Sequence, residues 1–423
     1  MRTEELNTET FAKENSTEER EFPAQETGKD LPKDPLTDSR KETTGSAAGE
    51  EIRVSYSHTY DIRFIVDPSP DYGRIGELDL ESYERLFVII DRNIRRLYGQ
   101  TLLRKLPEME TFVHEVEAVE YAKSIDYYPV LVDFLEEHTA GRYDAVLVIG
   151  GGILLDLVSF TVSTYMRGLP LFMIPTTLIG ETDASTAGKT CLNAHNTKNL
   201  LGTFYYPKTV YNSIEIMKGS PKRITRQGLS EAFKYSLLTD GKLLPEIIRF
   251  QNAPYDAAVM ENIVCSTIRA RIAVRQVDPL ASNLGHTFGH ALEKYSGYRV
   301  LHGDAILTGT VMAIHYAVEK GLMDSEERDR ILDMMRRARL NVWVPEDLDV
   351  HRLVEFMRKD KKSSSRRLHL VMIRGIGRPY RGETPFYEAE YGDVEEFLIR
   401  YAENCPYRKA DYYEFLSGET LQD

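Results

Sequence analysis

The 423 residues carry 53 Lys plus Arg against 66 Asp plus Glu, a net charge of −13, with 42% hydrophobic and 28% charged side chains. That is the composition of a soluble globular chain, long enough for two or three domains and a buried site. The acidic balance argues against a broad nucleic-acid or anionic-membrane surface, while leaving room for a local basic pocket. The three cysteines, Cys191, Cys265 and Cys405, have no CxxC spacing. They imply neither a disulfide framework nor a thiolate zinc site, and a reducing cytoplasm fits them best. No run approaches the roughly 18 apolar residues of a membrane span, and the N-terminus lacks the basic-then-apolar order of a secretory signal.

Residues 1–51 are expected to form a disordered acidic tail: residues 1–50 hold 13 acidic and 7 basic side chains and almost no large apolar ones. Such a segment cannot bury enough surface to offset its ordering entropy. From Tyr60 the alternation of Tyr60, Ile62, Phe64 and Val66 predicts a strand. Strand-like runs at Leu86 to Ile90, Thr111 to Val116, Ala145 to Ile149 and Leu171 to Ile174 then alternate with helix-like segments after Asn93, up to about Glu137, and over Ile153 to Thr164. That alternation predicts an α/β domain over 52–212 with a parallel sheet covered by helices, and a nucleotide at the carboxyl ends of the strands. From about Ser213 the periodicity is mainly helical, around 225–240, 256–277, 286–295, 304–320 and 324–339, predicting a helical domain over 213–423 with one short strand at Leu368 to Ile373.

Gly150, Gly151 and Gly152 join a strand to a helix, where a backbone can approach a pyrophosphate and aim helix N-terminal amides at it. The spacing is not GxGxxG, and alone it equally suits a tight structural turn. Asp156, one turn into the helix, and Thr176 and Thr177 at the next strand end add hydrogen-bonding groups suited to a nucleotide. The stretch Asp183 to Asn199 is too rich in Gly, Asn and Thr for a good helix and is expected to be a loop. Its Lys189 and Lys198, with Arg167 before it and Lys361 and Lys362 downstream, suit an anion pocket for a phosphate ester.

Three of the ten histidines, His286, His290 and His302, fall within seventeen residues. His286 and His290 share one helical face at i and i+4. No HExxH glutamate accompanies them, so this is not a metalloprotease signature. Glu231, a polar break in a partly apolar stretch, could add a carboxylate oxygen. Two histidines and a glutamate form a common catalytic zinc set, although the spacing alone equally suits histidines satisfied by ordinary hydrogen bonds.

In order, GGG…D, Y-x-R-G, P-T-T-L, D-x-S-x-x-G-K-T, K-N-x-x-G-x-F, G-L-x-E-x-x-K, G-H-T-F-G-H and L-H-G-D-A resemble the sugar phosphate cyclases, the family of 3-dehydroquinate synthase. The resemblance spans roughly residues 58–375 and implies an α/β NAD-binding domain, a mainly helical metal-binding domain and an active site between them. By matching positions it implies NAD contacts at Asp91, Asn93, Glu120, Lys123, Gly151, Gly152, Asp156, Thr176 and Thr177. It implies cofactor or substrate contacts at Asp183, Lys189, Lys198 and Asn199. Zinc ligands match Glu231, His286 and His302, with Co2+ a possible substitute. Substrate contacts match Lys234, Asn283 and His290 and one of Lys361 or Lys362. Arg167 matches an arginine lent to the neighbouring subunit's phosphate site, which implies a homodimer.

The chemistry implied by the resemblance uses and restores NAD: a secondary alcohol is oxidised, phosphate is eliminated beside the ketone, the ketone is reduced, and the opened ring closes by an intramolecular aldol reaction. The zinc and lysines would stabilise the charges that develop, and His290 is a candidate for proton transfer. One departure bears on the substrate. Dehydroquinate synthases hold a substrate carboxylate with a basic pair. Here the segment from Val277 to Asn283 is short and contains no arginine, while Arg271 stands near the first member's position. Half a carboxylate clamp weakens binding of an acid. The opening Tyr60-Asp61-Ile62-Arg63-Phe64 also resembles the sedoheptulose 7-phosphate cyclases that make valiolone-type rings, whereas Asn283 and His290 follow the dehydroquinate synthase pattern. The expectation is therefore a cyclase of sedoheptulose 7-phosphate, ahead of a true 3-dehydroquinate synthase acting on 3-deoxy-arabino-heptulosonate 7-phosphate, with a metal-dependent alcohol dehydrogenase third because of the phosphate-binding lysines.

Overall fold

The computed structural model describes residues 39–43, 52–56, 61–195, 197–340, 342–358, 367–404 and 408–409. Two units divide at Tyr60 and Asp61. In the first, β1 (Ser39–Thr43) runs antiparallel to β2 (Ile52–Tyr56), with Ser39 opposite Tyr56. Most of the expected tail lies outside the described residues, but Ser39–Thr43 is a paired strand. The β-branched and aromatic residues of β2 supply strand propensity next to it, which a count of charges does not register.

The second unit opens with β3 (Arg63–Asp67), β4 (Arg85–Asp91), β5 (Glu110–Val116), β6 (Ala145–Gly150) and β7 (Leu171–Pro175). The hairpin of β8 (Leu192–Ala194) and β9 (Thr197–Leu201) precedes β10 (Thr209–Ser213). Six of these form one parallel sheet in the order β3-β10-β7-β6-β4-β5. Alternate residues of the strands feed two apolar layers. Phe87, Ile89, Val146 and Val148 meet Leu154, Leu157 and Val158 on one face, and Leu86, Val88, Leu147 and Ile149 meet Ile75, Leu78 and Leu102 on the other. Burial on both faces explains why these strands read as continuous apolar runs. The strand order reverses between β4 and β6, so their carboxyl ends open the crevice where such sheets bind ligands.

The helices of this half are α1 (Arg92–Arg104), α2 (Tyr128–Glu137), α3 (Gly152–Thr164) and α4 (Leu178–Thr182). The helical half follows β10 with α5 (Ile214–Lys218), α6 (Lys222–Leu238), α7 (Leu244–Asn252) and α8 (Ala257–Val277). It continues with α9 (His286–Tyr295), α10 (His302–Glu319), α11 (Ser325–Arg337), α12 (Val350–Arg358) and α13 (Tyr391–Asn404). Two small strand pairs finish it: β11 (Val344–Pro345) with β14 (Arg408–Lys409), and β12 (Arg367–Leu370) with β13 (Tyr387–Glu390). One apolar core joins these helices and also takes in Val66 of β3 and Leu178 of α4, which ties the helical half to the sheet. Among the described residues no helix is long and apolar enough to cross a membrane.

The crossing of α9 and α10 brings main chain against main chain. A Cβ on Gly309 would lie 2.2 Å from the Gly285 carbonyl oxygen and 2.6 Å from the Gly289 nitrogen. No side chain fits there, so the two helices that carry the three clustered histidines sit as close as backbones allow.

Candidate active site

Three helices converge on one cluster. Glu231 projects from α6, His286 begins α9 and His302 begins α10, and their ligand atoms all lie within 4.8 Å of one another. Glu231 is 1% exposed; its Oε2 accepts from Lys234 Nζ at 2.5 Å, while Oε1 is buried with no hydrogen-bond partner. An orphaned carboxylate oxygen in a dry site is costly unless a cation takes it. His286 Nδ1 lies 3.2 Å from the Leu284 carbonyl oxygen and His302 Nδ1 lies 3.3 Å from Glu293 Oε2. Assigning the proton to Nδ1 in both leaves each Nε2 lone pair for a metal, the arrangement in which an outer carbonyl or carboxylate orients a ligating imidazole. Burial works to raise the pKa of Glu293, and His302 beside it, with His290 and Lys198, outweighs that and holds it below the usual value. The donor set therefore fits zinc. His290 joins a second triad with Glu293 and His302, and its ring centroid stands 5.2 Å from that of His286 and 6.0 Å from that of His302.

The dinucleotide end is built at the strand reversal. Gly151 caps α3 with no side-chain hydrogen bond, and Gly152 is the first helical residue. A Cβ on Gly151 would come within 3.3 Å of Thr177. The bare N-terminus of a 13-residue helix, lined by backbone rather than side chains, fits a pyrophosphate. Thr176 closes the turn by donating its N–H to the Gly150 carbonyl, and Thr177 caps α4 by accepting from Gly180 N at 3.1 Å. Asp156 pairs with Lys123 at 2.5 Å; burial lifts the Asp156 carboxyl above its usual range, with Lys123 opposing. Asp91 caps α1 by accepting from the N–H groups of Asn93 and Ile94, and Asn93 is exposed beside it.

The stretch expected as a loop is largely ordered: a turn of 3-10 helix at Ala184–Thr186, then β8 and β9. Asn193, not singled out in the sequence, organises it. Its Nδ2 donates to Glu120 Oε1 at 2.8 Å, its Oδ1 accepts from Asn199 N at 2.9 Å, and its backbone exchanges bonds with Lys123 and Ile125. Side-chain bonds of this kind substitute for the strand propensity that the composition lacks. Lys198 stands 3.5 Å from Glu120 and over the Tyr298 ring at 4.2 Å.

Between the two ends lies a cation cluster. Arg271 is buried, forms an ion pair with Asp183 and keeps its Nε without a hydrogen-bond partner. Burial, and then nearby Arg275, pull its pKa down to about 9. Arg275, one turn further along α8, donates from Nη1 to the Ala187 carbonyl at 2.6 Å. Lys189 keeps an open face to solvent, yet the protein around it, and then Arg275 and Lys234, depress its pKa. Burial likewise depresses Lys234, with Glu231 opposing. Four cations here face two carboxylates, Asp183 and Glu231. The surplus of positive charge, partly buried among like charges, suits a multiply charged anion.

Asn283 lies just before α9 and donates from Nδ2 to the Leu280 carbonyl at 3.0 Å. Arg167 is exposed at a turn where both Met166 and Arg167 have positive φ, away from any described hydrogen bond of this cluster. Lys361 and Lys362 lie outside the described residues. Glu293 and Arg275 were not foreseen. Glu293 is three residues beyond His290 and Arg275 four beyond Arg271, so helical spacing alone could have marked both.

The family description 3-dehydroquinate synthase N-terminal matches residues 113–227, and 3-dehydroquinate synthase C-terminal matches residues 228–363. The chain is 33% identical over 337 residues to the 3-dehydroquinate synthase of Aliivibrio fischeri (strain MJ11), covering 77% of this chain and 91% of that protein. It is also 33% identical over 311 residues to that of Symbiobacterium thermophilum, covering 71% and 87%. Among solved structures, 2-epi-5-epi-valiolone synthase from Streptomyces hygroscopicus subsp. jinggangensis 5008, with NAD+ and Zn2+ bound, aligns with a TM-score of 0.72 at 25% identity, over 83% of this chain and 99% of that one. A 2-deoxy-scyllo-inosose synthase complexed with carbaglucose-6-phosphate, NAD+ and Co2+ aligns with a TM-score of 0.70 at 19% identity, over 86% and 99%, a likeness of fold.

Proposed function

Because this chain belongs to the 3-dehydroquinate synthase family, within the sugar phosphate cyclases, we propose that it converts a phosphorylated seven-carbon sugar into a six-membered carbocycle with loss of phosphate. It would use NAD and zinc, with cobalt a workable substitute. The observation that carries this reading is the grouping of a Glu231 carboxylate that keeps one oxygen without a hydrogen-bond partner with His286 and His302, beside an adjoining cluster of lysines and arginines. A dehydrogenase needs the first feature but not the second. When bound, NAD would take up and return a hydride while the metal draws charge from the substrate oxygens.

The chain's own residues would do the rest. Glu231, His286 and His302 hold the metal, and Lys123, Asp156, Thr176 and Thr177 frame the dinucleotide beside the bare end of α3. Asp91, Asn93, Glu120, Lys198 and Asn199 complete the cofactor's surroundings. Lys189, Lys234 and Arg275 orient the phosphate and neutralise its charge as it leaves. His290 and Asn283 flank the metal ligands as proton carrier and hydrogen-bond donor. Arg167, on its exposed turn, would serve the phosphate site of a second copy in a homodimer, and Lys361 or Lys362 would add a further substrate contact. The halves would divide near Ser213, and the cysteine usage supports a cytoplasmic setting.

Sedoheptulose 7-phosphate is the favoured substrate, supported by the arginine-free segment before Asn283. A second reading, 3-dehydroquinate synthesis from the 3-deoxy-arabino-heptulosonate phosphate, is favoured by Arg275, which adds a guanidinium one turn from Arg271. Phosphate release from each sugar by the zinc- and NAD-loaded protein, with product masses recorded, tests the choice. Release from sedoheptulose 7-phosphate alone is expected; release from the acid alone reverses it, and release from neither sinks both readings.

A further inference from the structure

Glu231 and His302 belong to different helices, so their separation is a property of how α6 packs on α10. One turn before Glu231, Gln227 makes a reciprocal contact with Asp304, two residues after His302. Gln227 Nε2 donates to Asp304 Oδ2 at 2.7 Å, and the Asp304 backbone N–H donates to Gln227 Oε1 at 3.1 Å. Arg226 Nε donates to the other oxygen, Asp304 Oδ1, at 2.6 Å, and its Nη1 donates to the Arg339 carbonyl at 3.0 Å. Gln227 Nε2 also donates to the Arg223 carbonyl at 2.9 Å, so the amide is fixed to its own helix as well as to α10. Between His302 and Asp304, a Cβ on Gly303 would lie 2.6 Å from both the Cα and the carbonyl oxygen of Gln227. The start of α10 therefore rests directly on the α6 backbone.

Gln227 is 4% exposed and Asp304 7%. A buried polar network with its members satisfied specifies one geometry, and loses heavily when one member is removed. None of Gln227, Asp304 or Arg226 belongs to the ligand triad itself. We propose that Gln227, together with Asp304 and Arg226, acts as a positioning device that sets the Glu231 to His302 separation and so the affinity of the site for zinc. This rests on the metal reading given above.

The test is a zinc titration of the full-length protein against a chromophoric chelator, with circular dichroism and NAD binding recorded on the same samples. Gln227→Ala is expected to weaken zinc binding about 10- to 100-fold, the range for outer-shell partners of metal ligands, while NAD binding and helix content hold. Gln227→Glu sets two carboxylates face to face and weakens it at least as much. Adding Asp304→Asn restores a donor opposite an acceptor and recovers most of that loss. Unchanged zinc affinity in a folded Gln227→Ala variant overturns the inference. So does a Gln227→Glu/Asp304→Asn protein that binds no better than Gln227→Glu alone, a comparison that decides the matter even where Gln227→Ala does not fold. A parent protein that takes up no zinc, or a Glu231→Ala variant that still does, removes the metal reading and the inference with it. Parent and Glu231→Ala behaving as proposed, with Gln227 indifferent, removes the inference alone.

Discussion

The metal triad and the cation cluster adjoin each other but are built on opposite principles. Glu231 accepts from Lys234, His286 lies against the Leu284 carbonyl and His302 against Glu293, while Glu231 Oε1 is buried without a hydrogen-bond partner. Around Lys189, Arg271 and Arg275 like charges crowd together, and burial, followed by the charge of Arg275, depresses the pKa values of Lys189 and Arg271. The first region is held by described hydrogen bonds, whereas the second carries an excess of positive charge that an anion would offset. On the proposed reaction, the charge surplus would stabilise the phosphate as it leaves.

The contrast can be broken at its strongest point first. Glu231→Ala or His286→Ala is expected to remove stoichiometric zinc and lower turnover by about 1000-fold or more, on the scale of losing a principal electrostatic stabiliser; metal analysis alongside kcat checks it, and retained turnover in a zinc-free variant refutes it. Next, Lys234→Met leaves Glu231 buried without its ammonium and should destabilise the zinc-free protein by about 3–5 kcal/mol. Excess zinc should restore part of that, read as a rise in Tm. In the cation cluster the effects should be smaller and fall on binding. Lys189→Ala and Arg275→Ala each remove one charge-assisted contact, about 1.5–3 kcal/mol, so KM should rise roughly 10- to 100-fold with zinc content unchanged. A fall in zinc content instead would erase the distinction between the regions.

The smallest effect concerns Glu181, fully buried on α4 with neither oxygen hydrogen-bonded. Burial holds its pKa well above the usual value. Between the ordinary carboxyl pKa and that raised one, the folded protein keeps a proton that the unfolded chain has released, so stability falls as pH rises through this window. Glu181→Gln should therefore raise stability at neutral pH and flatten its pH dependence above about 4.5. Urea melts at several pH values would reveal parallel curves if the idea is wrong.

Much of this arrangement was legible in the chain. The runs at Leu86 to Ile90 and Ala145 to Ile149 fall inside β4 and β6, and the histidine helix matches α9 residue for residue, because strands buried on both faces and long amphipathic helices write strong periodicities. Glu231, His286 and His302, which the family resemblance groups as zinc ligands, do lie together. Two things were not legible. The β8–β9 hairpin hid in a polar stretch because it is held by Asn193 rather than by apolar alternation. The contact of Gln227 with Asp304 spans 77 residues and obeys no local period.

The glycine contact between α9 and α10 also has an evolutionary side. Since backbone meets backbone at that crossing, changes in side chains elsewhere can leave the histidines in place, while a single added methyl group at Gly309 would disturb them. Such a backbone-to-backbone joint would let the surroundings of the histidines change while their spacing holds.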